Sequence, residues 1–296
     1  MKLLVTGAHG QLGWELCRRG ERQDFDIVPL DLPDFDITDR YAVHHAVNQT
    51  DLSLVINAAA YTAVDLAESE PDRAFKVNRD GPAFLASSCA DAGIPLIHIS
   101  TDYVFDGSKK SPYVEADPIC PLGVYGKSKA AGEAEVRERL PLHIILRSSW
   151  LYGVHGQNFV KTMLRLGKER EIVRVVADQY GCPTYAADLA EGILSIVYRL
   201  GQGDPSYWGT YHFCGSGETT WHGFAERIFE LARQYDSFVV KKVVPVTTQE
   251  YPTPARRPAN SVLACSLLCK TFEIIPRPWQ ESLARAVQDL YESNRV

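Results

Sequence analysis

Seven residues near the start, Gly7-Ala8-His9-Gly10-Gln11-Leu12-Gly13, constrain the fold more than any other stretch of this chain. They follow the short apolar run Lys2 to Val5 and open a segment whose Leu12, Leu16 and Cys17 share one helical face. Glycines at such a strand-to-helix junction permit a tight turn and a close backbone approach to a phosphate. The N–H groups and dipole of the helix start then meet the phosphate charge. The stretch therefore predicts a dinucleotide site built by Gly7, His9, Gly10, Gln11, Leu12 and Gly13.

The rest of the chain repeats that unit. Strands are expected at Lys2 to Val5, Asp26 to Leu30, Leu54 to Asn57, Leu96 to Ser100 and His143 to Arg147, with helix-compatible stretches between them. Such alternation predicts an α/β fold, a Rossmann-type doubly wound parallel sheet, over residues 1–150. Gly93-Ile94-Pro95 is a helix stop just before the fourth strand. Beyond Trp150 the rhythm loosens, and residues 151–296 are expected to form mainly a smaller substrate-binding lobe. Helices are expected from about Asn158 to Lys168, from Ala186 to Leu200, from Trp221 to Tyr235 and from Trp279 to Ser293. A strand near Tyr211 to Phe213 suggests a return to the main sheet within 186–235, after a surface loop around Gly201 to Gly209.

Bulk properties narrow the partners. Across 296 residues, 31 Lys and Arg stand against 37 Asp and Glu, a net charge of -6 without a basic run, which argues against a nucleic-acid partner. No apolar run is long enough for a bilayer, so no membrane partner is expected and the cytosol is the expected setting. The seven cysteines contain no Cys-x-x-Cys pair and are read as reduced, mostly buried thiols.

Around the glycine turn, Asp31 follows the second strand, where an acidic group accepts hydrogen bonds from an adenosine ribose, which by itself favours NAD. Asp36 and Ile37 are placed to border the adenine. Ala58, Ala59, Ala60 and Tyr61 follow the third strand at the carboxyl edge of the sheet, where a cofactor lies close.

Tyr125 and Lys129 are four apart in a run of helix formers, so both project from one helical face. An ammonium beside the phenol is expected to lower its pKa and fit it to protonate a carbonyl oxygen as hydride reaches the carbon. Lys129 would also hold a cofactor ribose. Thr101, at the end of the fourth strand, is chosen as the hydroxyl that supports the reacting oxygen, with Ser100 as its competitor. Asp102 is either a second acid or a turn residue.

Several motifs together resemble the extended short-chain dehydrogenases, and within them the dTDP-4-dehydrorhamnose reductase family. These are Val5 to Gly13, Asn57 to Asp65, Ser100 to Phe105, Tyr125 to Lys129, Arg147 to Tyr152, Asn158-Phe159 and Asp178-Gln179-Tyr180-Gly181-Cys182-Pro183-Thr184. The resemblance implies reduction of the 4-keto group of dTDP-4-dehydro-β-L-rhamnose, with Thr101, Tyr125 and Lys129 carrying the catalysis. It implies NADPH, with NADH accepted by some members, against the simpler reading of Asp31. It further implies that Asp102, Trp150, Asn158, Gln179, Tyr180, Pro183 and Thr184 line the sugar and nucleotide pocket, with Arg257 near the diphosphate. Some members bind magnesium through glutamates, a part that Glu15 and Glu191 would play here, and the chain would be a monomer or a homodimer. Two other readings share the glycine turn. One is an epimerase or another reductase of the same superfamily acting on a nucleotide sugar. The other is a non-catalytic subunit resembling the partner of methionine adenosyltransferase, and the complete Thr, Tyr and Lys set weighs against it.

Overall fold

The computed structural model describes residues 1–48, 51–203 and 207–293. Five parallel strands carry the first half: β1 (Lys2–Thr6), β2 (Asp26–Leu30), β3 (Leu54–Asn57), β4 (Leu96–Thr101) and β5 (His143–Ser148). A sixth, Gly209–His212, pairs in parallel with β5 and completes the sheet in the order Gly209–His212, β5, β4, β3, β1, β2. Asp204, Pro205 and Ser206 of the expected surface loop lie outside the described residues.

Alternation along the strands explains why helices cover both faces. Leu3 and Val5 of β1, Leu54 and Ile56 of β3, and Ile144 and Leu146 of β5 enter one apolar cluster. Their neighbours Leu4, Val55 and Ile145 enter another on the opposite face. Helices α1 (Gln11–Arg22) and α8 (Ala186–Leu200) pack together on the first face. On the second lie α2 (Arg40–Asn48), α5 (Gly81–Ala92) and α6 (Val124–Arg139). Short helices α3 (Val64–Ala67) and α4 (Pro71–Phe75) lead through a π turn at Lys76–Asp80 into α5, which stops at Gly93 in the left-handed region. In that turn Asn78 ties the backbone of Tyr61 to the Ser128 hydroxyl, so the loop after β3 is pinned to α6.

A third apolar cluster gathers α7 (Phe159–Glu169), α9 (Trp221–Ala232) and α11 (Trp279–Ser293) around Tyr152, Phe224, Ile228 and Val287. Asn158 and Thr220 begin α7 and α9 by accepting backbone N–H groups of their first turns. The strands Ile172–Val176 and Lys242–Val246 pair in parallel under these helices and escape sequence reading, because each is short and only partly buried. The remaining helix, α10 (Ser266–Phe272), seals the sheet cluster with Leu268 and Phe272. Residues 186–212 thus return to the sheet, whereas α9 packs with the third cluster. No helix among the described residues is long and apolar enough to cross a membrane.

Candidate active site

The carboxyl edge of the sheet opens into a cleft of about 670 Å³, bounded on one side by the glycine turn. Gly7 has φ +72°, and a Cβ there would sit 2.6 Å from Ala59 N. One at Gly13 would sit 2.0 Å from Gly7 O. Gly7 is therefore required by its backbone, and Gly13 lies behind the wall as the contact that lets α1 approach the turn. Gly10 caps α1 without a side-chain hydrogen bond among the described residues, and the first turn holds no acid. Gly10, Gln11 and Leu12 line the cleft, and the backbone N–H groups of such a helix start are a donor set that fits a pyrophosphate.

Gln11, Leu12, Asp31, Asp36, Ile37, Ala58, Ala59 and Ala60 line the same cleft, joined by Leu32 and Phe35, which sequence reading missed. Asp31 Oδ2 accepts the His9 N–H at 2.8 Å and Oδ1 accepts the Leu32 N–H at 2.8 Å. The carboxylate thus shapes the loop as well as facing the cleft. Tyr61 lies behind the wall, its N–H on Asn78 and its hydroxyl on Glu70 at 2.9 Å.

Thr101, Asp102, Tyr125 and Lys129 converge on the cleft from the end of β4, the 3-10 turn that follows it, and α6. The two candidate hydroxyls separate cleanly. Ser100 Oγ donates to Glu133 Oε1 at 2.6 Å, and Arg147 holds the same carboxylate at 2.8 and 2.7 Å. Thr101 Oγ1 instead donates to Asp102 Oδ1 at 3.0 Å and lies beside the Tyr125 phenol. The expected acidification of the phenol is corrected by the geometry: Lys129 Nζ donates to Ile99 O at 2.6 Å. Burial outweighs the Thr101 hydrogen bond and pushes Tyr125 up to about 12. The same burial lowers Lys129 to about 8, against the charge of Glu133. Tyr125 is accordingly a fully protonated donor at neutral pH.

The opposite wall is aromatic. Trp150 stands at φ +46° with its ring stacked on Trp221, centroids 3.6 Å apart and planes at 7°. A Cβ at Gly181 would meet that indole at 2.4 Å. Both tryptophans line the cleft. Asn158 joins them, donating to Gln11 Oε1 at 2.9 Å, while His155 reaches His9 O at 2.9 Å, so the loop before α7 crosses over the glycine turn.

The family model described as RmlD substrate binding domain matches residues 1–292. The chain belongs to this reductase family. A dTDP-4-dehydrorhamnose reductase of Sinorhizobium fredii is 46% identical over 290 residues, 97% of each chain. The crystal structure of a dTDP-4-dehydrorhamnose reductase from Clostridium acetobutylicum superposes with a TM-score of 0.92 at 42% identity, covering 98% of this chain and 99% of that one. Another from Bacillus anthracis, solved in complex with NADP, gives a TM-score of 0.89 at 40% identity, covering 97% and 99%.

Within this reductase-family chain several expected site residues stand back from the cleft wall. Gln179 donates to Thr248 at 3.1 Å, Tyr180 is 46% exposed with its N–H on Ala259 O, and Pro183 packs on Gly215. Thr184 pairs with Leu151. Arg257 is held by Asp65 at 2.8 Å. The magnesium expectation finds no support: Arg19 donates to Glu15 at 2.8 Å and also to Glu191, so a guanidinium lies between the two carboxylates. Among the described residues no cluster of three or more His, Cys, Asp or Glu could hold a metal. Trp221 was missed because its only sequence signal is an aromatic at the start of a helix, which reads as core.

Proposed function

We propose that this chain reduces the 4-keto group of dTDP-4-dehydro-β-L-rhamnose with NADPH, giving dTDP-β-L-rhamnose in the cytosol. The observation that carries the reading is the convergence of Thr101, Tyr125 and Lys129 on one cleft whose other end is the α1 N-terminus with its glycine turn. The 46% identity to a named reductase supports the substrate. The relative solved with NADP supports the cofactor.

When bound, the reduced nicotinamide supplies a hydride to the carbonyl carbon. Tyr125 holds its proton at Oη and delivers it to the carbonyl oxygen, as general acids do. Burial makes this phenol a weak acid, so it keeps its proton until an alkoxide of higher basicity develops beside it. Thr101 supports the same oxygen by a hydrogen bond. Lys129, charged below about pH 8, would hold ribose hydroxyls in the cleft interior. The N–H groups after Gly10 would bind the diphosphate, and the Trp150 and Trp221 stack would pack against the sugar nucleotide.

The test is consumption of NADPH, read by its absorbance, on addition of the purified keto sugar nucleotide. One equivalent lost per sugar reduced is expected, and turnover without net consumption overturns the reading in favour of an epimerase. Tyr125→Phe is expected to lower kcat by about 10²- to 10⁴-fold while leaving NADPH binding intact. A variant with parental turnover removes Tyr125 as the donor.

A further inference from the structure

Asp102 stands beside the Thr101 hydroxyl, and the mechanism above gives it no task. It is 2% exposed and lines the cleft. Oδ1 accepts from Thr101 at 3.0 Å, while Oδ2 is buried without a hydrogen-bond partner among the described residues. The neighbouring Ser261 hydroxyl lies within reach of the carboxyl but also donates to Tyr180 O at 3.2 Å. The titratable groups that face Asp102 are Tyr103 on its own loop and Tyr125 on α6. Arg257 and Asp65, paired with each other, act on Tyr103. Burial is the largest influence on the carboxyl and pushes it up to about 6, with Ser261 and Thr101 pulling the other way. A buried carboxyl with an unpartnered oxygen and no counter-cation keeps its proton to a higher pH than a solvated one.

The consequence falls on Thr101, whose hydroxyl has one proton and two lone pairs. One lone pair already accepts the Tyr103 N–H at 3.2 Å. While Asp102 is a carboxylate, the Thr101 proton is bound to Oδ1, and the remaining lone pair is open to the Tyr125 proton. That arrangement competes with delivery to substrate. Once Asp102 is neutral, its O–H donates to Thr101, both lone pairs are filled, and the hydroxyl can act only as a donor.

We infer that Asp102 is a positioning residue whose neutral form turns the Thr101 hydroxyl toward the reacting oxygen, so that the cleft offers two donors to the developing alkoxide. The inference rests on the reductase reading. Only the sense of existing O–H hydrogen bonds changes, and the proton that Asp102 gains comes from water while the cleft is open.

Two readouts test it. Infrared spectra of the cofactor-free enzyme are expected to contain a protonated carboxyl band that titrates near pH 6 and disappears in Asp102→Asn. Absence of the band, or its survival in the variant, overturns the inference. The pH profile of kcat/KM for the keto sugar is expected to fall in two limbs as pH rises, the first near 6 as Asp102 ionises and the second near 8 as Lys129 loses its proton. Asp102→Asn should lose the first limb and keep the second. Thr101→Val, which removes the hydroxyl through which Asp102 acts, should lose the first limb too and covers the case of an asparagine variant that does not fold. A first limb that persists in either variant overturns the role of Asp102 while leaving the reductase reading intact. A parent enzyme that never consumes NADPH overturns both.

Discussion

The two walls of the cleft are made of different materials. The glycine wall is backbone: Gly7 and Gly13 are needed for what their missing side chains allow, and the groups offered to a ligand are main-chain N–H groups. The tryptophan wall is side chain: Trp150 and Trp221 come from distant segments and hold each other by a 3.6 Å stack. A wall built of backbone fails when anything is added, because neighbouring main chain cannot yield. One built of stacked rings fails when something is removed, and it fails gradually.

The largest effect expected from this contrast is at Gly13. Its Cβ would meet Gly7 O at 2.0 Å and Ala8 Cα at 2.7 Å, both of them backbone. Gly13→Ala is expected to cost about 3 kcal/mol of stability through overpacking. In the fraction that folds, the turn is displaced, and NADPH affinity should drop by about 100-fold or more, some 2.7 kcal/mol. Chemical denaturation and fluorescence titration of bound NADPH measure the two. An alanine variant with parental affinity would show that α1 does not need to approach the turn so closely.

The same contrast explains what was legible in the sequence. A glycine turn is local, so its strand, its turn and its helix announce one another, and β2 and β3 begin and end where their residues predict. Helices α8 and α11 likewise coincide with their apolar periodicity. Tyr125 and Lys129 reach one cleft because four residues make about one helical turn. The direction of Lys129 Nζ was not legible, since Ile99 O, its acceptor, belongs to β4 and is set beside α6 only by the fold. Arg19 between Glu15 and Glu191 was missed for the same reason: α8 meets α1 in space and nowhere in sequence. Trp221 became part of a site only once Trp150 was found lying on it.

A smaller effect is expected at Trp221. Trp150 is held at φ +46°, a backbone conformation that costs a non-glycine residue roughly 1–3 kcal/mol and persists only under external support. Trp221 supplies that support, and an aromatic pair contributes about 0.5–1.5 kcal/mol beyond its buried area. Trp221→Ala should therefore raise the KM for the sugar nucleotide by about tenfold, near 1.4 kcal/mol, with NADPH affinity unchanged. Trp221→Phe should recover most of the loss. If alanine instead weakens NADPH binding as much as substrate binding, the two walls are one cooperative unit and the contrast between them fails.

The smallest effect is expected at Asp31, where the two kinds of construction meet: a side chain that fixes the backbone of the glycine turn. Its carboxylate accepts the N–H groups of His9 and Leu32, each at 2.8 Å, and it also lines the cleft. A fixed negative charge at this edge disfavours a 2′-phosphate, and unit charges about 4 Å apart in water repel by about 1 kcal/mol. Asp31→Ser keeps an acceptor for the turn and removes the charge. Rates with NADPH relative to NADH are expected to rise about fivefold, the equivalent of that 1 kcal/mol. Added salt should shrink the difference by screening an exposed interaction. Should the ratio stay at the parental value while affinity for both cofactors falls together, Asp31 would belong wholly to the backbone wall, as an anchor for His9 with no part in telling one dinucleotide from the other.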